Sequence, residues 1–298
     1  SGKTDLAVAA IQRSSVSAEI IVLDSRQLYR GLDLGTGKPD AAQRAAVPHH
    51  LLDVLEPDET PDAMDYRRRV EAVARDILDR GSVPLLVGGA GFYLRALREG
   101  FHDFEYSSGE LADVRASIAR LGDRELMDRL RKLDPDTADR LHPNDRYRIG
   151  RAVELCELSG HRASDLERQF VPRPVLGATF DIALLLPERQ VLHERIERRT
   201  ANWLRRGWLE EVQGLLQRGL KPSAPALQIL GYRQVVELAA GQTTLAATET
   251  DITVATRRYA RAQTTWFRKE RPVARFAEGD DEAVQTLDGM LRGAVGPA

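Results

Sequence analysis

Two short apolar runs, Glu19 to Asp24 and Val83 to Val87, each lie next to a helical pattern, and this alternation constrains the fold more than any other feature. Ahead of the first run, Leu6, Ala7, Ala10 and Ile11 recur at helical spacing. Between the runs, Val70, Val73, Ala74, Ile77 and Leu78 repeat at i, i+3, i+4, i+7 and i+8, which predicts an amphipathic helix stopping at Gly81. A polar loop with Gly and Pro covers roughly 30 to 61. Helix, strand, helix, strand with short links predicts a parallel sheet wrapped by helices. Such sheets take ligands at the carboxyl ends of their strands.

From about 104 to 180 the strand signal disappears. Leu111, Val114, Ile118 and Leu121, then Leu126, Leu130 and Leu133, then Ile149, Val153 and Cys156 mark three helices separated by Gly122, Pro135 and Pro143. Thr179 to Leu186 resumes the sheet, and mainly helical sequence follows. The pattern predicts an α/β core from 1–103 and 181–298 with an all-helical insertion at 104–180.

Composition removes several function classes. No run of about 18 apolar residues exists, so no membrane-spanning helix is expected. The single cysteine, Cys156, builds neither a disulfide framework nor a thiolate-rich zinc site, and a reducing cytoplasm fits. His49-His50 has no acidic or cysteine partner at a usual metal spacing, which favours a structural role. A net charge of −2 hides an asymmetry. Four arginines lie in 140–151, five in 195–207, and five plus Lys269 in 250–271, on an otherwise acidic body. Such stretches suit a localised polyanion contact or, alternatively, solvated helix faces with paired charges.

Ser1-Gly2-Lys3-Thr4, opening a helix, is the back half of G-x-x-x-x-G-K-[ST]. In that motif backbone N–H groups and the helix terminus hold phosphate oxygens, Lys3 neutralises them, and the Thr4 hydroxyl takes a magnesium position. The rest of the loop and the strand before it are expected upstream of Ser1, so the natural chain is expected to be longer. The fold class becomes a P-loop NTPase-like parallel sheet flanked by helices. Asp24 closes the first apolar run at the ligand edge, where it could bind magnesium, act as a general base, or merely cap a turn. Gly88-Gly89-Ala90-Gly91 lets backbone approach a ligand or simply turns the chain. Near the end, Ile252, Ala255, Tyr259, Ala262 and Trp266 form one stripe, expected to pack on the core, while Arg257, Arg261 and Arg268 fall on another face.

These residues together resemble the bacterial tRNA dimethylallyltransferase (tRNA isopentenyltransferase) family. The resemblance runs from Ser1 to about Arg271 through Ser1-Gly2-Lys3-Thr4, the whole block Asp24 to Pro39, His49 to Asp53, and Val87-Gly88-Gly89. It continues through Arg148 to Glu154, Gly231 to Gln234 and Gln263 to Arg268. The block at 24–39 is highly specific; the phosphate-loop half is shared by many unrelated enzymes. The resemblance implies transfer of a dimethylallyl group from dimethylallyl diphosphate to N6 of the adenosine 3′ of certain anticodons. Asp24 would then be the base. Ser1, Gly2, Lys3, Thr4 and Arg199 would hold diphosphate, with Mg2+ on Thr4. Ser25, Arg26 and Gln27 would line the pocket for a flipped adenine. Ala90, Tyr147, Arg148, Arg151, Gln228, Gly231, Tyr232 and Arg233 match segments that contact the tRNA anticodon stem-loop, around which the insertion would close. Ala90 stands where the family usually has a hydroxyl residue, and Ala262 where a basic residue is common. Eukaryotic relatives often add a zinc finger, which one cysteine cannot supply. A monomer without zinc is expected.

Other classes remain open on the residues alone. The loop, Thr4 and Asp24 would serve a small-molecule kinase equally well, but the 24–39 block and the basic insertion argue against it. An enzyme prenylating free adenosine phosphates, and an RNA-binding protein without catalysis, are the further alternatives.

Overall fold

A computed structural model of the chain describes residues 2–101 and 107–294. Ser1 and the expected 103/104 boundary lie outside the described residues. The chain divides into two compact units, Ser1–Arg98 with Pro174–Ala298, and Glu99–Arg173.

The first unit begins α1 (Lys3–Arg13), β1 (Ala18–Leu23), α2 (Ala41–Ala46), β2 (His49–His50), α3 (Ala63–Asp79), β3 (Val83–Gly88) and α4 (Gly91–Glu99). The three strands form a parallel sheet in the order β2-β1-β3, with Leu23 opposite Gly88. Every residue of β1 is buried. The expected loop at 30–61 thus contains a short helix and strand. There His49 Nδ1 meets the Val47 carbonyl at 2.8 Å and His50 Nε2 meets Glu19 Oε2 at 2.7 Å, so both imidazoles have structural partners. β3 was expected to be buried, yet all its residues are half-buried; among the described residues no strand pairs its outer edge.

The second unit is helical: α5 (Ser108–Arg120), α6 (Asp123–Leu133), α7 (Pro135–Arg140), α8 (Arg146–Ser159) and α9 (Ala163–Gln169). Its core is Leu126, Met127, Leu130, Ala138, Ile149 and Val153. Two of these helices, α7 and α9, escaped the periodicity because they are too short to show one. Asp134 ties them together. Its fully buried carboxylate accepts from the backbone and hydroxyl of both Thr137 and Ser164.

The first unit resumes with β4 (Ala183–Leu185), α10 (Arg189–Arg205), α11 (Trp208–Gln217), α12 (Tyr232–Ala239), α13 (Leu245–Phe267), β5 (Ala274–Phe276) and α14 (Asp281–Gly293). β4 pairs in parallel with β5 rather than rejoining the first sheet, a long-range choice that no local pattern specifies. Helix α1 packs on both sheets. Ala7, Val8 and Ile11 meet Ile20, Val22, Leu85 and Val87, whereas Leu6, Ala9 and Ala10 meet Ala183, Leu185, Phe276 and α14. This two-sided packing fixes the helix N-terminus, and with it Lys3, beside the carboxyl ends of the strands.

Candidate active site

The site is assembled where β1 and β3 end. Gly88 lies so close to Leu23 that a Cβ there would strike the Leu23 carbonyl. That oxygen also accepts the N–H groups of Gly89 and Ala90, at 3.1 and 3.2 Å. Glycine is therefore required at 88 for backbone to meet backbone. Asp24, the next residue along β1, is half-buried, and its Oδ1 accepts the Arg26 N–H at 2.9 Å, closing a tight turn.

Gly2 caps α1 in the left-handed region, at φ 82°, and among the described residues no side chain caps the first-turn N–H groups of the helix. Lys3 and Thr4 follow, both half-buried. Thr4 Oγ1 has no hydrogen-bond partner among the described residues. The Lys3 ammonium is held below its ordinary pKa, first by burial; the Asp24 charge opposes the shift and Arg199 adds to it. Arg199, on α10, is lowered for the same first reason, with Arg26 adding and Asp24 opposing. Its side chain is exposed to solvent. Lys3 and Arg199 are thus each within electrostatic reach of Asp24, and Arg199 of Arg26, an excess of positive charge that an anionic ligand would relieve.

Two aromatic rings hold the cations in place. The Arg26 guanidinium lies 4.2 Å from the Tyr259 ring centroid and that of Arg199 4.6 Å from Trp203. One turn further along α13, Gln263 Nε2 donates to the Gly89 carbonyl at 2.8 Å. The stripe on α13 was expected to pack entirely on the core. Only Ile252 is fully buried; Tyr259 and Trp266 reach the site instead, because α13 runs past the end of the core. Sequence reasoning read Tyr259 only as part of a packing stripe and Gln263 only as part of a family motif, and did not single out Trp203, yet all three stand at the site. Their signal, aromatic and amide groups on basic helices, is indistinguishable from ordinary packing.

The other predicted residues divide. Ser25, Arg26 and Gln27 are half-buried beside Asp24, but the Gln27 amide donates to the Thr36 and Gly37 carbonyls, at 3.2 and 3.1 Å. Ala90 starts α4, accepting the Leu94 N–H at 3.0 Å. Gln228 is exposed, with Nε2 on the Pro222 carbonyl, and Arg233 is also exposed. Gly231 adopts φ 94° against Trp208. Tyr232 requires a correction. Its side chain is 0% exposed and so is not a surface group for tRNA. In the helical unit, Tyr147 is 75% exposed, and Arg148 and Arg151 project to solvent on α8 beside Asp145 and Glu154. Among the described residues, no group of three His, Cys, Asp or Glu could hold a metal ion, and no helix is long and apolar enough to cross a membrane.

A parallel α/β core presenting cations and a carboxylate at its strand ends defines an α/β protein built to receive an anionic ligand. The sequence model described as IPP transferase matches residues 27–270, and the chain belongs to that family. The tRNA dimethylallyltransferase of Anaeromyxobacter sp. (strain Fw109-5) is 43% identical over 296 residues, spanning 97% of this chain and 96% of that protein. tRNA dimethylallyltransferase 1 of Citrifermentans bemidjiense is 41% identical over 273 residues, 92% of this chain and 87% of that protein. The solved tRNA isopentenylpyrophosphate transferase of Bacillus halodurans superposes with a TM-score of 0.69 at 30% identity, covering 99% of this chain and 93% of that one.

Proposed function

We propose that this chain transfers a dimethylallyl group from dimethylallyl diphosphate to N6 of the adenosine adjacent to the anticodon in tRNA. The observation that carries the reading is that Asp24 closes β1 within electrostatic reach of Lys3 and Arg199, with its carboxylate accepting the Arg26 backbone N–H. Lys3, Arg199 and the α1 N-terminus receive the diphosphate, whose charge grows as its C–O bond to the prenyl carbon breaks. The amine nitrogen forms the new C–N bond. Asp24 takes the proton that the nitrogen loses, which is needed because the amine lone pair is delocalised into the adenine ring.

The donor set fits Mg2+: Thr4 Oγ1 is unpartnered among the described residues, and hydroxyl, carboxylate and diphosphate oxygens are the hard ligands that this ion takes. When bound, the ion would offset charge developing on the leaving group. Exposed Tyr147, Arg148 and Arg151 suit stacking and phosphate contact with an anticodon stem-loop. We further place the protein in the cytoplasm, as a monomer without zinc.

The test is mass spectrometry of nucleosides from tRNA incubated with the full-length protein, dimethylallyl diphosphate and Mg2+. Expected is one prenyl unit added to adenosine, with diphosphate released. Phosphorylation of a small acceptor by ATP, or preference for AMP over an anticodon stem-loop, would replace this reading.

A further inference from the structure

The loop after Asp24 is held by polar contacts within the first unit, most of them part-buried. On Oε2, the Glu211 carboxylate of α11 accepts the N–H groups of Asp33 and Leu34, both at 3.0 Å. On Oε1 it accepts the Tyr232 hydroxyl at 2.6 Å. The same hydroxyl oxygen accepts the Gly35 N–H at 3.2 Å. Three consecutive backbone donors are thus gripped by one carboxylate and one phenol. Trp208 closes the arrangement, since a Cβ at either Gly35 or Gly231 would run into its indole. The grip reaches the site through the loop itself. Thr36 and Gly37 hold the Gln27 amide, next to Arg26 and two residues beyond Asp24. Lys38, whose side chain is 2% exposed, anchors the far end on the Tyr29 carbonyl, Asp33 and Asp53, at 2.5 to 2.6 Å.

We propose that Glu211 and Tyr232 are positioning residues for the transfer reaction, fixing the loop at 25–38 so that Arg26 and Gln27 stand in register with Asp24. The segment 228–233 then acts on the chemistry from inside the fold, through Tyr232, while Arg233 faces outward. A half-buried charged acceptor satisfied by three donors, one of them the hydroxyl of the fully buried Tyr232, is stiff, and sub-ångström placement is what an attacking amine needs. The proposal rests on the reading of Asp24 as the reacting carboxylate.

Two conservative variants test it. Tyr232→Phe removes one oxygen, and Glu211→Gln keeps shape while removing charge. Expected are a fall in kcat for tRNA prenylation of about tenfold or more with KM for dimethylallyl diphosphate within about threefold. Hydrogen exchange at the amides of residues 33–35 should also rise by about tenfold. The double variant should be no worse than the poorer single one, because the two residues act as a unit. Ile77→Val, which deletes one buried methylene elsewhere in the core, should lower Tm comparably and change neither readout. Unchanged exchange at 33–35, or a kcat that merely follows Tm as in the control, overturns the proposal. If the wild-type protein prenylates nothing, the functional reading fails, and the exchange measurement alone still decides whether the two residues hold the loop.

Discussion

The Arg26 guanidinium sits over the face of Tyr259, 4.2 Å from the ring centroid, and so joins the loop after β1 to the long helix α13. The pairing fixes a flexible cation whose own backbone N–H bonds the Asp24 carboxylate. Replacing Tyr259 by Phe should preserve it, whereas Leu should forfeit about 1 kcal/mol of cation–π attraction. Steady-state kinetics should therefore show Y259F near wild type and Y259L with a raised KM for tRNA. Equal behaviour of the two variants would mean that the ring only fills space.

Asp24→Asn separates chemistry from turn formation, because the amide oxygen can still accept the Arg26 N–H. Turnover should drop by about 10²-fold or more while tRNA affinity stays within about threefold. Single-turnover kinetics with filter binding measures both. Retained turnover would remove Asp24 from the base role.

Arg148 and Arg151 are exposed, and among the described residues they pair with Asp145, the N-cap of α8, and Glu154 on the same helix. If they contact phosphate, tRNA affinity should weaken steeply between about 50 and 200 mM salt, and replacing both by Gln should reduce the slope of log K against log salt by about 1.5. A fluorescence titration at several salt concentrations checks this. An unchanged slope would exclude these arginines from the footprint.

Asp134 makes the helical unit sensitive to acid. Burial alone would raise its pKa, but the hydrogen bonds from Thr137 and Ser164 outweigh it, and the net shift is downward. A carboxyl with a lower pKa folded than unfolded stabilises fully above its unfolded value, about 3.9, and loses that contribution as pH falls through the folded value. Asp134→Ala should cost about 3 kcal/mol at neutral pH by leaving buried donors unpaired. It should also flatten the loss of stability below pH of about 4 seen by thermal melting.

Gly88→Ala tests the close approach of β3 to β1. The added methyl has nowhere to go but into the Leu23 carbonyl, so the strand ends must separate and displace Asp24. Prenyl transfer should fall by about tenfold or more even where circular dichroism shows a folded chain.

Periodicity carried much of the fold. A buried β1 can hardly be other than an interior strand, and α3 and α6 each have enough turns to declare an apolar face. Gly2 to Thr4 and Asp24 could be singled out as candidates because the chemistry expected of them depends on backbone local to each motif. Tertiary structure alone decided that β4 pairs with β5, that Tyr259 leaves the core to meet Arg26, and that Tyr232 turns inward to Glu211. Each joins residues far apart in sequence, and such contacts are selected by the packing of whole elements, to which the spacing of side chains along one helix or strand carries no reference.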